Sequence, residues 1–211
     1  MMADKDWKRG LARSYDGDAA RRNSKTLPEW KLKERERFLT RFQEKKCRTL
    51  LEIGSGTGMD GVYFKERGLA VTCVDLSPAM VDACKARGLH AQVMDFYALE
   101  LPDGSFDALY AMNCLLHVPK ADFGAVLKEL ARVLKPGGLF YLGLYGGRES
   151  EGLWEGDWCD PPRFFSFHGD REIVGRTGDS FELEGFTTVP QQGEGELHFQ
   201  SLLLRRALRS G

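Results

Sequence analysis

Residues 50–58 read Leu50-Leu51-Glu52-Ile53-Gly54-Ser55-Gly56-Thr57-Gly58, an apolar run that passes straight into alternating glycines. Glycine turns the chain tightly and lets another group approach the backbone with no Cβ in the way. A helix is predicted from about Met59, and its first N–H groups would face whatever lies on the loop. Outward from this segment, short apolar runs bounded by turn residues predict strands at 49–53, 71–75, 91–95, 106–112 and 139–145. Strands buried on both faces read this way. Ser77 and Pro78 form an N-cap and first helical residue, with Gly88 as the stop. Residues 119–134 set Phe123, Val126, Leu127, Leu130, Val133 and Leu134 on one helical stripe, ended by Pro136-Gly137-Gly138. Strand–helix alternation predicts an α/β, doubly wound, mostly parallel sheet with helices on both faces, a three-layer sandwich.

The flanks follow other patterns. Residues 1–28 are polar and charged, with isolated aromatics at Trp7 and Tyr15, and a helix is predicted over 29–46 with Phe38, Leu39 and Phe42 inside. Residues 1–48 are thus expected to be a helical cap on a main domain spanning 49–211. Past Tyr145 the period stops. Residues 146–168 carry Arg148, Trp154, Trp158, Phe164 and Phe165 without a clear repeat, and are expected to be an insertion or lid. The alternative for RFFSF at 163–167 is a strand or turn packed into the core. A short helix near 170–176 leads to strands at 181–189 and 197–205, joined by QQGEGE at 191–196 and expected to pair antiparallel.

With 211 residues, 42% hydrophobic and 29% charged, the chain has the composition of one globular domain with a full core. A net charge of -1 gives no general attraction to nucleic acid or anionic membrane. The five cysteines are scattered, without a CxxC pair, so no disulfide framework and no metal site is expected. No apolar run is long enough to span a bilayer, and a cytoplasmic protein is the simplest expectation.

Two cofactors could use the glycine loop. Asp75 ends the second strand 21 positions after Gly54, where a carboxylate can accept hydrogen bonds from both hydroxyls of a ribose. Gly56, Gly58 and Gly61 satisfy GxGxxG, the dinucleotide fingerprint, which is weak evidence alone. Against it, Glu52 places a charge inside the strand before the loop. The apolar run also ends at Gly54, giving the register E-x-G-x-G-x-G. Finally, Asp95-Phe96 closes the third strand with a carboxylate and an aromatic, which suit an adenine amino group and ring.

The segments LLEIGSGTG, VTCVDLSPAMV, VMDFYALELPDGSFDALYAMNCLLHV and LARVLKPGGLFYLGLY resemble, in order and spacing, the motifs of the class I S-adenosylmethionine-dependent methyltransferases. The resemblance runs from about Thr49 to Tyr145 and agrees with that family's reversed last strand. It implies that Gly54, Ser55, Gly56 and Gly58 pass close to the methionine part of S-adenosyl-L-methionine, with Glu52 ordering the loop. It implies that Asp75 takes the ribose hydroxyls, that Leu76 and Met80 cover the adenine, and that Asp95 and Phe96 hold its amino group and edge. Asn113, with Met112 and Leu115 beside it, would lie at the reacting centre. Tyr15 and Trp30 would close the pocket.

The activity so implied is in-line methyl transfer to a small-molecule acceptor by a monomer or homodimer, with no nucleic-acid or membrane partner. Two alternatives remain at this stage: an NAD(P)-dependent oxidoreductase, and a cofactor-binding regulatory protein without turnover. The candidate catalytic residues are His117, in CLLHVP after the fourth strand, and Tyr145, at the end of the fifth. A buried structural histidine is the alternative for His117. His198 would point either into the site or into solvent.

Overall fold

The structure, a computed structural model, describes residues 4–191 and 197–208. Five strands run parallel: β1 (Thr49–Ile53), β2 (Ala70–Asp75), β3 (His90–Val93), β4 (Phe106–Met112) and β5 (Leu134–Gly146). β8 (Glu182–Pro190) and β9 (His198–Arg205) complete a seven-stranded sheet in the order β3-β2-β1-β4-β5-β9-β8, with β9 antiparallel to both of its neighbours. The predicted turn at 191–196 falls, from residue 192 onward, outside the described residues.

Alternation along the central strands splits the core into two layers. Leu50, Ala108, Tyr110 and Tyr141 point to one face, which α2 (Glu29–Glu44), α3 (Met59–Glu66) and α4 (Pro78–Ala86) cover with Phe38, Phe42, Phe64 and Val81. Leu51, Leu109, Phe140 and Leu142 point to the other, under α5 (Phe123–Val133) and α6 (Asp170–Thr177). The three-layer expectation holds, because successive strand residues face opposite ways and both faces are apolar.

β1 lies between β2 and β4, so the chain winds one way from β1 to β3 and the other way from β4 onward. Ile53 pairs with both Val74 and Ala111, which brings the carboxyl ends of these strands level. A crevice opens at such a reversal.

Several boundaries differ from the sequence expectation. Residues 4–23, to which the sequence pattern assigns no particular element, form a 20-residue helix, α1 (Asp4–Asn23). Trp7, Leu11 and Tyr15 recur every four residues on one of its faces, and that face finds a partner in the domain. β3 stops at Val93, which is 52% exposed, so Asp95 belongs to a loop. The Pro136-Gly137-Gly138 segment does not terminate a helix. It lies inside β5, where Gly137 N–H bonds the Arg206 carbonyl. Within 146–168, β6 (Ser150–Leu153) pairs antiparallel with β7 (Phe164–Phe167), and Phe165 and Phe167 are buried in the core. Among the described residues no helix is long and apolar enough to cross a membrane.

Candidate functional site

The carboxyl ends of β1, β2, β4 and β5 open into one cavity of about 430 Å³, the size of pockets that take small ligands. Its wall begins at the glycine loop. Gly54, Gly56 and Gly58 have φ of 60°, 53° and 79°, in the left-handed region that a Cβ disfavours. Their surroundings separate their roles. A Cβ on Gly54 would sit 2.3 Å from Cys114 Cβ, so this glycine lets β1 pass the turn after β4. A Cβ on Gly58 would sit 2.6 Å from Leu89 Cδ1, where α3 starts against α4. A Cβ on Gly56 would meet nothing within 4 Å, because Gly56 faces the cavity. Gly61 is held by packing alone: its Cβ would lie 2.6 Å from Glu52 Oε2.

Asp75 braces this loop. Its Oδ2 accepts from Gly56 N–H at 2.8 Å and its Oδ1 from Ser77 N–H at 2.9 Å. Burial pushes the carboxyl up to about 6, and these backbone donors only partly offset it. Each oxygen keeps lone-pair capacity toward the cavity that Asp75 lines. Glu52 is buried beneath the loop and accepts from the Cys73 thiol at 3.3 Å. Burial, with the Asp60 carboxylate nearby, holds it well above the usual carboxylate range.

Asn113 follows β4 at φ 57°, fixed by its N–H to the Gly143 carbonyl at 2.7 Å. Its Oδ1 is buried at the cavity wall and accepts no hydrogen bond among the described residues. Such an orphan acceptor costs roughly 1–3 kcal/mol unless a ligand donates to it. Among the described residues no group of three or more His, Cys, Asp or Glu side chains is placed to hold a metal ion.

At the opposite end, Tyr15 from α1 meets His117. His117 Nδ1 lies 2.7 Å from the Phe164 carbonyl, which can only accept, so the proton is on Nδ1. Nε2 therefore accepts from the Tyr15 hydroxyl at 2.7 Å. Burial depresses His117 to about 3, and the imidazole is neutral. The Tyr15 oxygen accepts in turn from Arg163 at 3.1 Å, and Arg163 is paired with buried Asp157 at 2.6 Å.

The model of the methyltransferase domain family matches residues 51–142, the segment that builds β1 to β5 and most of the cavity wall. This segment is similar to a methyltransferase domain. The chain is 36% identical over 100 residues to a ubiquinone biosynthesis O-methyltransferase of Xanthomonas oryzae, covering 44% of this chain and 41% of that protein. It is 37% identical over 92 residues to a malonyl-[acyl-carrier protein] O-methyltransferase of Serratia marcescens, covering 43% and 35%. The match therefore spans about two fifths of the length of these relatives. A Burkholderia thailandensis 1,6-didemethyltoxoflavin-N1-methyltransferase, solved with 1,6-didemethyltoxoflavin and S-adenosylhomocysteine, superposes with a TM-score of 0.73 at 19% identity. That likeness covers 98% of this chain and 92% of the other. An S-adenosylmethionine-dependent methyltransferase of Methanosarcina mazei gives 0.67 at 20%, covering 76% and 92%. These two likenesses establish the fold.

The fold brings many of the sequence-predicted residues to one cavity: Glu52, Gly54, Ser55, Gly56, Asp75 and Leu76 from its first two strand ends. From later elements come Asp95, Phe96, Met112, Asn113, His117 and Tyr145, with Tyr15 from α1. Four others lie outside the lining. Met80 and Leu115 are wholly buried in the core, Gly58 packs on α4, and Trp30 packs edge-on to Tyr145 and tilted against Phe199, with the Trp30 and Phe199 centroids 4.6 Å apart. Asp95 has both oxygens engaged, by Lys8 at 2.9 Å and Tyr97 N–H at 3.0 Å. His198 lies outside the lining, where its partly exposed side chain bonds Asp170 at 2.8 Å.

Trp7, Lys8, Leu11, Arg22 and Arg163 line the cavity and were not singled out as cavity residues by the sequence reading. The four-residue spacing of 7, 11 and 15 was the available signal for the α1 members. Arg163 had none, since its position follows from β7.

Proposed function

We propose that this protein is an S-adenosylmethionine-dependent methyltransferase that acts on a small-molecule acceptor, with residues 1–48 as a cap over the site. The observation that carries this reading is Gly56: a left-handed turn opening on the cavity, with its N–H tied to the Asp75 carboxylate. A loop of that form leaves room for an amino-acid tail beside the backbone and a carboxylate for a ribose. The free Asn113 Oδ1 supplies an acceptor for an ammonium group at the same wall.

When bound, the cofactor supplies an activated methyl group, because its sulfonium leaves as a neutral thioether. The chain has to bind, orient and exclude water. Asp75 would accept the ribose hydroxyls, while Leu76 and Phe96 would flank the adenine. Asp95 would take the adenine amino group with the lone-pair capacity that Lys8 and Tyr97 N–H leave on its oxygens. Tyr15 and His117 would hold the acceptor at the far end. His117 Nε2 becomes free to receive an acceptor's proton only when the Tyr15 hydroxyl moves off it. Placing the acceptor in line is worth about 7–11 kcal/mol of barrier, and a base on the order of 10²–10⁴-fold more. The five thiols are all free, which suits a reducing cytosol.

Titration calorimetry tests the reading. S-adenosylhomocysteine is expected to bind once per chain, and NADH not at all. Saturable binding of NADH with indifference to S-adenosylhomocysteine overturns the assignment. Binding with no transfer of labelled methyl to any metabolite extract would point to a regulatory protein instead.

A further inference from the structure

The acceptor end of the cavity carries a charge pattern that methyl transfer itself does not require. Trp158, 54% exposed, stands at the rim and is ringed by four cations. Arg21 Cζ is 3.5 Å from its ring centroid, Arg163 Cζ 5.4 Å, Lys25 Nζ 5.8 Å and Arg22 Cζ 5.9 Å. Two acids answer them. Asp18 pairs with Arg21 at 2.6 Å and Arg22 at 2.5 Å, and Asp157 pairs with Arg163. Lys25 has no acid partner among the described residues, and both it and Arg22 line the cavity. The wider field has the same sign. Residues 1–48, which supply the cap, hold fifteen of the chain's 30 Lys and Arg residues but only eight of its 31 acids. A cleft flanked by such an excess concentrates anions at its mouth.

Below the rim the wall is flat and apolar. Trp154 meets Phe165 edge-on at 5.5 Å and Phe167 at 5.7 Å, and the two phenylalanines stack at 5.6 Å. Leu197 and Tyr145 join them in the lining, and the Tyr15–His117 pair is the polar contact beyond. Aromatic walls of this kind favour a planar ring.

Resting on the methyltransferase reading, we propose that the acceptor is a planar aromatic acid. Its ring lies against Trp154 and Phe165, and its anionic group sits at the rim on Lys25 and Arg22 beneath Trp158. Its heteroatom is directed inward toward Tyr15. Lys25 and Arg22 are specificity-determining residues for the anionic group.

The test is calorimetry on protein saturated with S-adenosylhomocysteine, using matched acid and amide pairs: 4-hydroxybenzoate with 4-hydroxybenzamide, and 1-hydroxy-2-naphthoate with its amide. At least one acid is expected to bind about tenfold or more tighter than its amide, a preference that shrinks in about 0.5 M salt. Lys25→Gln and Arg22→Gln should each weaken the acid about three- to tenfold and leave the amide unchanged. The S-adenosylhomocysteine titration reports folding in every variant. Amides binding as tightly as acids, or no acid binding while S-adenosylhomocysteine binds, overturns the proposal and leaves the methyltransferase reading intact. Hexanoate binding as tightly as the aromatic acids overturns the planar-ring half. Failure of S-adenosylhomocysteine itself to bind is the failure of the parent reading.

Discussion

Asp75 and Asp107 stand at opposite ends of the same parallel sheet, and their surroundings push them in opposite directions. Asp107, near the amino end of β4, is met by Arg48 N–H at 2.8 Å, Thr49 N–H at 2.9 Å, the Thr49 hydroxyl at 3.1 Å and Lys135 at 2.7 Å. Burial would raise it, yet Lys135 and these donors overcome burial and hold it down at about 2. At the carboxyl end Asp75 is more deeply enclosed, has no cation bonded to it among the described residues, and is left at about 6. One carboxylate is saturated by its own chain and serves folding. The other keeps unmet hydrogen-bonding capacity on a cavity wall, which is what a ligand can use.

The comparison breaks most visibly at Gly56. Gly56→Val puts a β-branched side chain into the open wall at a backbone φ it disfavours. The expected loss of S-adenosylhomocysteine affinity exceeds 10³-fold, against a stability cost of only about 1–2 kcal/mol from the left-handed conformation. Calorimetry beside a denaturant melt separates the two. Equal affinity with lowered stability would mean that the cavity at Gly56 is not the ligand's. The mirror-image variant is Asp107→Ala. It should cost about 1–3 kcal/mol of unfolding free energy by orphaning the Arg48 and Thr49 donors, while S-adenosylhomocysteine affinity stays within twofold. Weakened binding there would show that the two ends of the sheet are coupled.

The same contrast explains how much was legible in the sequence. Sheet, layers and glycine loop follow from local rules: short apolar runs bounded by turn residues, Ser77-Pro78 punctuation, and glycines that need a positive φ. Gly54, Gly56 and Asp75 could be read because their spacing alone puts them at adjacent strand ends. Met80 could not be separated from the lining that way, since the same position on α4 serves a core or a pocket, and here the core takes it. The Tyr15–His117 end of the cavity was hidden for another reason. Arg163, His117 and Tyr15 come from three distant segments, and their hydrogen-bonded chain exists only once α1 and β7 have docked on the sheet. The helix α1 was hidden by Gly10, Gly17 and its many charges, although Leu11 falls at the four-residue spacing that joins Trp7 to Tyr15.

The smallest effect is the sharpest test of Asp75. Its folded pKa of about 6 lies above the value of about 3.9 for an unfolded aspartate, so between these values the native state holds the extra proton. Stability from this group falls as pH rises from about 4 to about 6. Asp107, depressed to about 2, has the opposite sign and adds stability as pH rises from about 2 to about 4. His117, depressed to about 3, adds stability as pH rises toward about 6.5. Wild type should therefore lose stability relative to Asp75→Asn across pH 4 to 6, a window in which Asp107 no longer titrates. Ribose hydroxyls donate best to the ionised carboxylate, so S-adenosylhomocysteine affinity in wild type should rise about tenfold from pH 5 to pH 7, in step with the ionised fraction of a group titrating near 6. In Asp75→Asn that slope should vanish. If the variant keeps it, some other group at the cavity carries the proton and Asp75 does not hold the ribose.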